Sequence, residues 1–251
     1  MNRRLRARFT KTGKVRFTSH RDVARIWERA LRRAGLPVAY TEGFSPRPKL
    51  SFGLALSTGY ESLGEYLDIN LRDDAPGGDV TVEQLPTLLD PALPVGIDVQ
   101  TVVPLFPGAE SLQQAVTSCT WHIELSGTGP SEAADLVDRV LGQPEVVVTR
   151  ERKGHAVTED IRPGILAARV LDPRSVGLVN DGSPTAALEV ELATQPRSLR
   201  PAELVGALDP AVTAGRVVRI HQWTLVGGAR QEVIPLPPAA TLASHAEARA
   251  S

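Results

Sequence analysis

Two stretches of the chain run through the same succession of hydrophobic periods, and that succession limits the folds open to it. Residues 3–10 alternate toward Phe9 and predict a strand. After a turn at Thr12-Gly13, Val15-Arg16-Phe17 predicts a short second strand. Ser19 suits a helix N-cap, with Asp22 three residues on in a capping-box pattern. Val23, Ile26, Trp27, Ala30, Leu31 and Ala34 then recur at helical spacing, and Gly35 and Pro37 close the helix. Beyond it the pattern predicts a short strand at 37–41, a proline-broken loop at 42–48 and extended chain at 49–56. A strand at 64–71, a helix at 82–89 and a strand at 95–105 follow. The order approximates β-α-β-β-α-β, the ferredoxin-like pattern.

Pro107-Gly108 interrupts this order, after which it starts again. Strands are predicted at 118–125, 145–150, 185–192 and 217–226, with helices at 130–141 and 200–208. No residue-level repeat accompanies the second pass, so the duplication rests on element order alone. The expected fold is α+β, with two ferredoxin-like halves packed in one chain. Residues 1–106 form a basic N-terminal half, 107–230 an acidic C-terminal half, and 231–251, rich in Pro and Ala, a loose tail.

The formal net charge of −1 conceals a strong asymmetry. Residues 1–49 hold fourteen Lys and Arg against three acids, Asp22, Glu28 and Glu42; the rest of the chain holds fourteen against twenty-six. A basic segment on an acidic body is the pattern expected of a polyanion-binding face. The only cysteine, Cys119, rules out a disulfide framework within the chain and a cluster held by three or four cysteines. No apolar run has the length of a membrane span, and no apolar h-region follows the basic N-terminus, so the expected location is the cytoplasm without membrane attachment. No Cys–His zinc pattern, P-loop or nucleophile elbow is present, and no cofactor is expected on this chain.

Four groups of residues are candidates for function. Arg21, Arg25 and Arg29 recur every four residues on one helix face, with Arg32 and Arg33 at its end. Such a row is either a solvated face or a grip on RNA phosphates; only Asp22 and Glu28 oppose it, which favours phosphate. His20 stands at the helix start, where it either packs locally or acts as a general acid or base. The stretch Glu42-Gly43-Phe44-Ser45-Pro46-Arg47-Pro48-Lys49 is stiff and basic, and reads equally as an RNA contact or a structural turn; Phe44 and Phe52 read equally as stacking platforms or core anchors. In the second half, Arg150 to Lys153 predicts a hairpin tip, and Asp160 and Arg162 predict an ion pair.

The runs Phe9-Thr10-Lys11-Thr12-Gly13, Arg16-Phe17-Thr18-Ser19-His20-Arg21-Asp22, Glu42 to Lys49 and Asp160-Ile161-Arg162-Pro163 together resemble the bacterial radical SAM-linked protein family. The resemblance extends over about residues 3–225. It implies a separate partner: a radical SAM protein carrying an iron–sulfur cluster and cobalamin, in a setting of RNA metabolism. Many relatives place a histidine where this chain has Arg47. Taken with the charge, the expectation is a non-catalytic RNA-binding subunit, tRNA among its candidate ligands. Arg16, His20, Arg21, Arg25, Arg29, Arg47 and Lys49 would form its RNA-binding surface. The alternatives are a metal-independent endoribonuclease of the CRISPR RNA-processing type, with His20 catalytic, and a protein-docking module.

Overall fold

The computed structural model describes residues 2–72, 80–152, 154–178 and 185–235, leaving out the side chains of Asn2, Arg152 and Thr185. Most of the predicted tail and Lys153 lie outside these residues.

The chain is a mixed α+β fold built on one nine-stranded sheet and a separate two-stranded hairpin. The first half contributes β1 (Asn2–Lys11), α1 (His20–Arg33), β2 (Leu50–Phe52), β3 (Glu61–Arg72), α2 (Leu85–Leu89) and β4 (Val99–Leu105). β1 lies between β4 and β3, antiparallel to both, and β2 runs antiparallel to β3 on its other side. The second half contributes α3 (Leu112–Ala115), β5 (Val116–Ser126), α4 (Pro130–Gly142), the hairpin β6 (Val147–Arg152) and β7 (His155–Asp160), β8 (Ile165–Leu171), β9 (Thr185–Ala193), α5 (Pro201–Leu208), β10 (Thr213–Val226) and β11 (Ala229–Glu232). Its large-sheet strands lie in the order β10-β5-β9-β8.

The halves share the sheet. β10 pairs antiparallel with β5 and parallel with β3, through Val218 opposite Glu61 and Arg219 opposite Ser62. One apolar core gathers Leu5, Ala7, Phe9, Val23, Trp27 and Leu31 under α1 and α2. The other gathers Trp121, Ile123, Leu136, Val140, Leu188 and Leu204 under α4 and α5.

Helix α1 follows from local chemistry. The Ser19 hydroxyl accepts the Asp22 N–H at 3.2 Å and donates to its carboxylate at 2.7 Å. This second bond is the main reason the Asp22 carboxyl lies below its usual range. At the other end Gly35, at φ +67°, turns the chain so that the Leu36 N–H reaches Leu31 O and the Gly35 N–H reaches Arg32 O. This is a Schellman closure, and it requires the left-handed glycine.

Several expectations are corrected. Residues Gly13–Phe17 form a 3-10 turn rather than a strand. The buried Lys11 ammonium explains this: it donates to the carbonyls of Arg16 at 3.3 Å and Thr18 at 3.1 Å, which an extended chain would aim elsewhere. Asp160 and Arg162 do not pair side chain to side chain. The Asp160 carboxylate accepts the backbone N–H groups of Val146 and Arg162 at 2.8 and 2.9 Å, while the Arg162 guanidinium donates to Leu141 O and Ile165 O. Strand β8 escaped the sequence reading because its exposure follows no clean alternation: Leu166 is 53% exposed beside buried Ile165. The expected tail begins inside β11, and Ile234 beyond it is buried against Tyr66 and Leu112.

Candidate nucleic-acid interface

The basic segment divides into charges turned inward and charges turned outward. On β1, Leu5, Ala7 and Phe9 enter the core, so the period of two places Arg4, Arg6 and Arg8 on the other face. That face is covered. Arg6 grips both Asp68 oxygens, at 2.6 and 2.9 Å, and Arg4 reaches the same carboxylate at 3.3 Å. Arg8 donates to Glu232 at 2.7 Å, Ile234 O at 2.9 Å, Gln100 at 2.9 Å and the Tyr66 hydroxyl at 3.2 Å. Burial pushes the Tyr66 phenol up to about 12, with Arg8 opposing. Arg16 meets buried Glu61 at 3.3 Å, and Arg216 binds the same carboxylate from β10. Burial acts to raise the Glu61 pKa, but hydrogen bonds from Arg216 and the Gly13 N–H outweigh it and hold the carboxyl below its ordinary value. A buried guanidinium needs an opposite charge at hand, so Arg6 and Arg8 serve the fold, and half-buried Arg16 is already engaged by buried Glu61. Arg16 therefore stands apart from the other candidate RNA contacts.

Most of the outward charges lie on α1 and the following loop. Val23, Trp27, Ala30 and Leu31 fix the buried side of α1, which leaves Arg21, Arg25, Arg29, Arg32 and Arg33 exposed. Arg25 has only a solvent-exposed contact with Asp22, at 3.3 Å; such pairs are weak and easily exchanged for another anion. Arg47 is exposed and Lys49 half-buried. With exposed Lys14, the row of three arginines, the helix-end arginines and Arg47 form the outward-facing remainder of the charge excess.

His20 is exposed at the start of α1, its ring edge-on to Phe52 with centroids 5.2 Å apart. It lines a cavity of about 20 Å³ where the two cores meet. Lys11, Glu65, Phe9, Val23, Phe52 and Leu54 form other parts of the wall. That volume holds about one water molecule. Burial lowers the Lys11 pKa, against the attraction of Glu65. Behind the cavity Glu65 is bound by Arg219 of β10, whose guanidinium also donates to Leu54 O at 2.9 Å. Among the described residues, no three of His, Cys, Asp and Glu are placed to hold a metal ion.

Residues 4–201 match a family described as an uncharacterized protein conserved in bacteria, DUF2344. The chain belongs to this family. A search of the curated proteins finds no match. In this DUF2344 protein the matched stretch holds α1, the basic loop and the cavity wall, whereas Arg216, Arg219 and Glu232, which anchor the inward charges, lie beyond it. No helix among the described residues is long and apolar enough to cross a membrane.

Sequence reasoning missed Lys11, Glu65 and Arg219. Lys11 carries a readable signal, since it follows Phe9 by two residues on a strand whose odd positions face the core. Glu65 and Arg219 carry none, because nothing local relates residues so far apart in the chain.

Proposed function

We propose that this DUF2344 protein is an RNA-binding subunit. Arg21, Arg25, Arg29, Arg47 and Lys49 contact phosphates, with His20 at the border of the same surface. The observation that carries this reading is the arginine row on α1, exposed along its length while Arg6, Arg8 and Arg16 of the same segment are paired with carboxylates of the fold. Arginine offers a planar fork that bonds two phosphate oxygens at once. The sequence supplies a single cysteine, so in this reading a radical SAM protein with its iron–sulfur cluster and cobalamin is a separate partner that carries the chemistry. The strand orders β4-β1-β3-β2 and β10-β5-β9-β8 support reading each half as a ferredoxin-like unit, the two joined edge to edge through β3 and β10.

The test is the salt dependence of RNA affinity. Log affinity falls linearly with log salt as counterions are released, and each phosphate contact contributes about 0.7–0.9 to the slope. Replacing Arg21, Arg25 and Arg29 together by Ala should weaken binding and flatten the slope by up to about three contacts. An unchanged slope and affinity would overturn the reading. The partner is tested by pull-down with and without ribonuclease: recovery of a radical SAM protein after RNA digestion supports direct docking, and loss on digestion removes the dedicated-subunit reading.

Purified protein should leave RNA intact, and His20→Ala should keep nearly all RNA affinity. Specific cleavage abolished by His20→Ala, followed on labelled RNA in denaturing gels, would put the nuclease reading first.

A further inference from the structure

An interruption in the edge strand beside β3 presents an aromatic group to solvent. Val38 sits opposite Leu71, and Leu50 sits opposite Ile69. Between those two points the edge chain advances twelve residues while β3 advances two. Tyr40 to Pro48 therefore leave the sheet as a lobe and return to it almost where they left.

The lobe is closed at its base. The Lys49 N–H donates to Ala39 O at 2.8 Å, and the Thr41 N–H donates to Arg47 O at 2.8 Å. The Arg47 N–H donates to the Thr41 hydroxyl at 3.0 Å, and Tyr40 bridges to Pro48. Below this, Asn70 donates to Lys49 O from both its backbone and its side chain. Pro46 and Pro48 remove backbone freedom on the returning side. At the tip Gly43 takes φ +120°, a conformation that side-chain-bearing residues rarely adopt.

Phe44 stands on that tip at 110% of its reference exposure, and Tyr40 lower down is 47% exposed. A core anchor would be covered, so the anchor reading of Phe44 fails. An uncovered ring on a stapled, proline-stiffened support is held where another molecule can reach its face. Its surroundings favour a nucleic acid over an apolar protein pocket. Arg47 is on the same lobe, and the lobe leaves the sheet a few residues after α1 ends in exposed Arg29, Arg32 and Arg33.

We infer that Phe44 is a base-stacking platform and that the ligand is single-stranded or looped RNA rather than continuous duplex; this rests on the phosphate-binding reading of α1. In A-form duplex the bases are stacked on one another and the deep groove admits no side chain, so an exposed ring has nothing to stack on. An unpaired base offers its face to any aromatic side chain, whatever its identity. Phosphates along α1 would fix the strand, and the lobe would take a base from it.

The test uses the full chain, a labelled single-stranded oligonucleotide and a duplex of matched composition, with affinities read by fluorescence anisotropy at one salt concentration. Phe44→Ala should weaken single-strand binding roughly 5- to 150-fold, the range for one lost stack. It should leave duplex binding and the melting temperature unchanged, and Phe44→Trp should restore the affinity. Unchanged single-strand affinity in Phe44→Ala, or an equal loss for both RNAs, overturns the inference. Loss of a co-purifying protein with oligonucleotide affinity intact makes the lobe a protein contact and overturns it as well. The arginine triple variant runs in parallel. If it loses affinity while Phe44→Ala does not, only the stacking inference falls; if it has no effect, the phosphate reading falls.

Discussion

Glu65→Ala should destabilise the protein by about 3–5 kcal/mol, measured by urea denaturation, because it strands a buried guanidinium. The Arg219 side chain is 1% exposed, and its only carboxylate contact among the described residues is Glu65. It also donates to Leu54 O and hydrogen-bonds the Cys119 sulfur, and the guanidinium lies 5.3 Å from the Trp121 ring centre. With Glu65 gone, the charge is left without a carboxylate, beside a cavity that has room for about one water molecule. The pair sits where β10 meets β3, so the loss falls on the contact that joins the two halves. Replacing both partners, as Glu65→Leu with Arg219→Met, should recover most of the loss, since an apolar pair of similar volume in place of a buried ion pair is often neutral or better. A cost below about 1 kcal/mol for the single change would mean that water reaches the pair and the seam is not dry.

Trp27→Ala should cost about 3–5 kcal/mol by the same measurement. The side chain is fully buried and meets the Phe9 ring edge-on at 4.9 Å, which ties α1 to β1. The consequence for function is direct: the arginine row keeps its direction only while this contact holds the helix down. Trp27→Phe should be far milder. The indole Nε1 has no hydrogen-bond partner among the described residues, so the smaller ring gives up volume but no hydrogen bond. The Arg21, Arg25, Arg29 triple variant should lose little stability, because exposed charges contribute little to folding. Equal costs for Trp27→Ala and Trp27→Phe would show that the site collapses around either change.

How far the sequence could be read depended on the range of the interaction concerned. Helix α1 was legible to within a residue, because Ser19, the Val23–Trp27–Leu31 stripe and Gly35 act over three or four positions. Strand β1 was legible for the same reason. The charges it carries were not. Arg4, Arg6, Arg8 and Arg16 count toward a basic surface in any sum over the first 49 residues, yet their carboxylates come from Glu61, Asp68 and Glu232. Local periodicity places Arg8 on the polar face of a strand and says nothing of a glutamate 224 residues away. The 3-10 turn at Gly13–Phe17 was misread because a lysine from the preceding strand reorganises its carbonyls.

The loop at 42–48 shows the same division. Its prolines and glycine announced a stiff turn, but composition left Phe44 suspended between core and surface. Pairing on either side of the lobe resolves this: once Val38 and Leu50 are both bound to β3, the chain between them must project, and Phe44 goes with it. By itself the sequence determined the class of fold, the order of most elements, the boundaries of α1, α4 and α5 to within a residue and the face on which Arg21, Arg25 and Arg29 lie, since each depends on residues a few positions apart. The tertiary structure alone decided which basic residues are neutralised inside, how the halves fuse through β3 and β10, and what the lobe exposes. Those outcomes depend on which distant carboxylate or strand edge is brought within a few ångströms, and no local pattern encodes that distance.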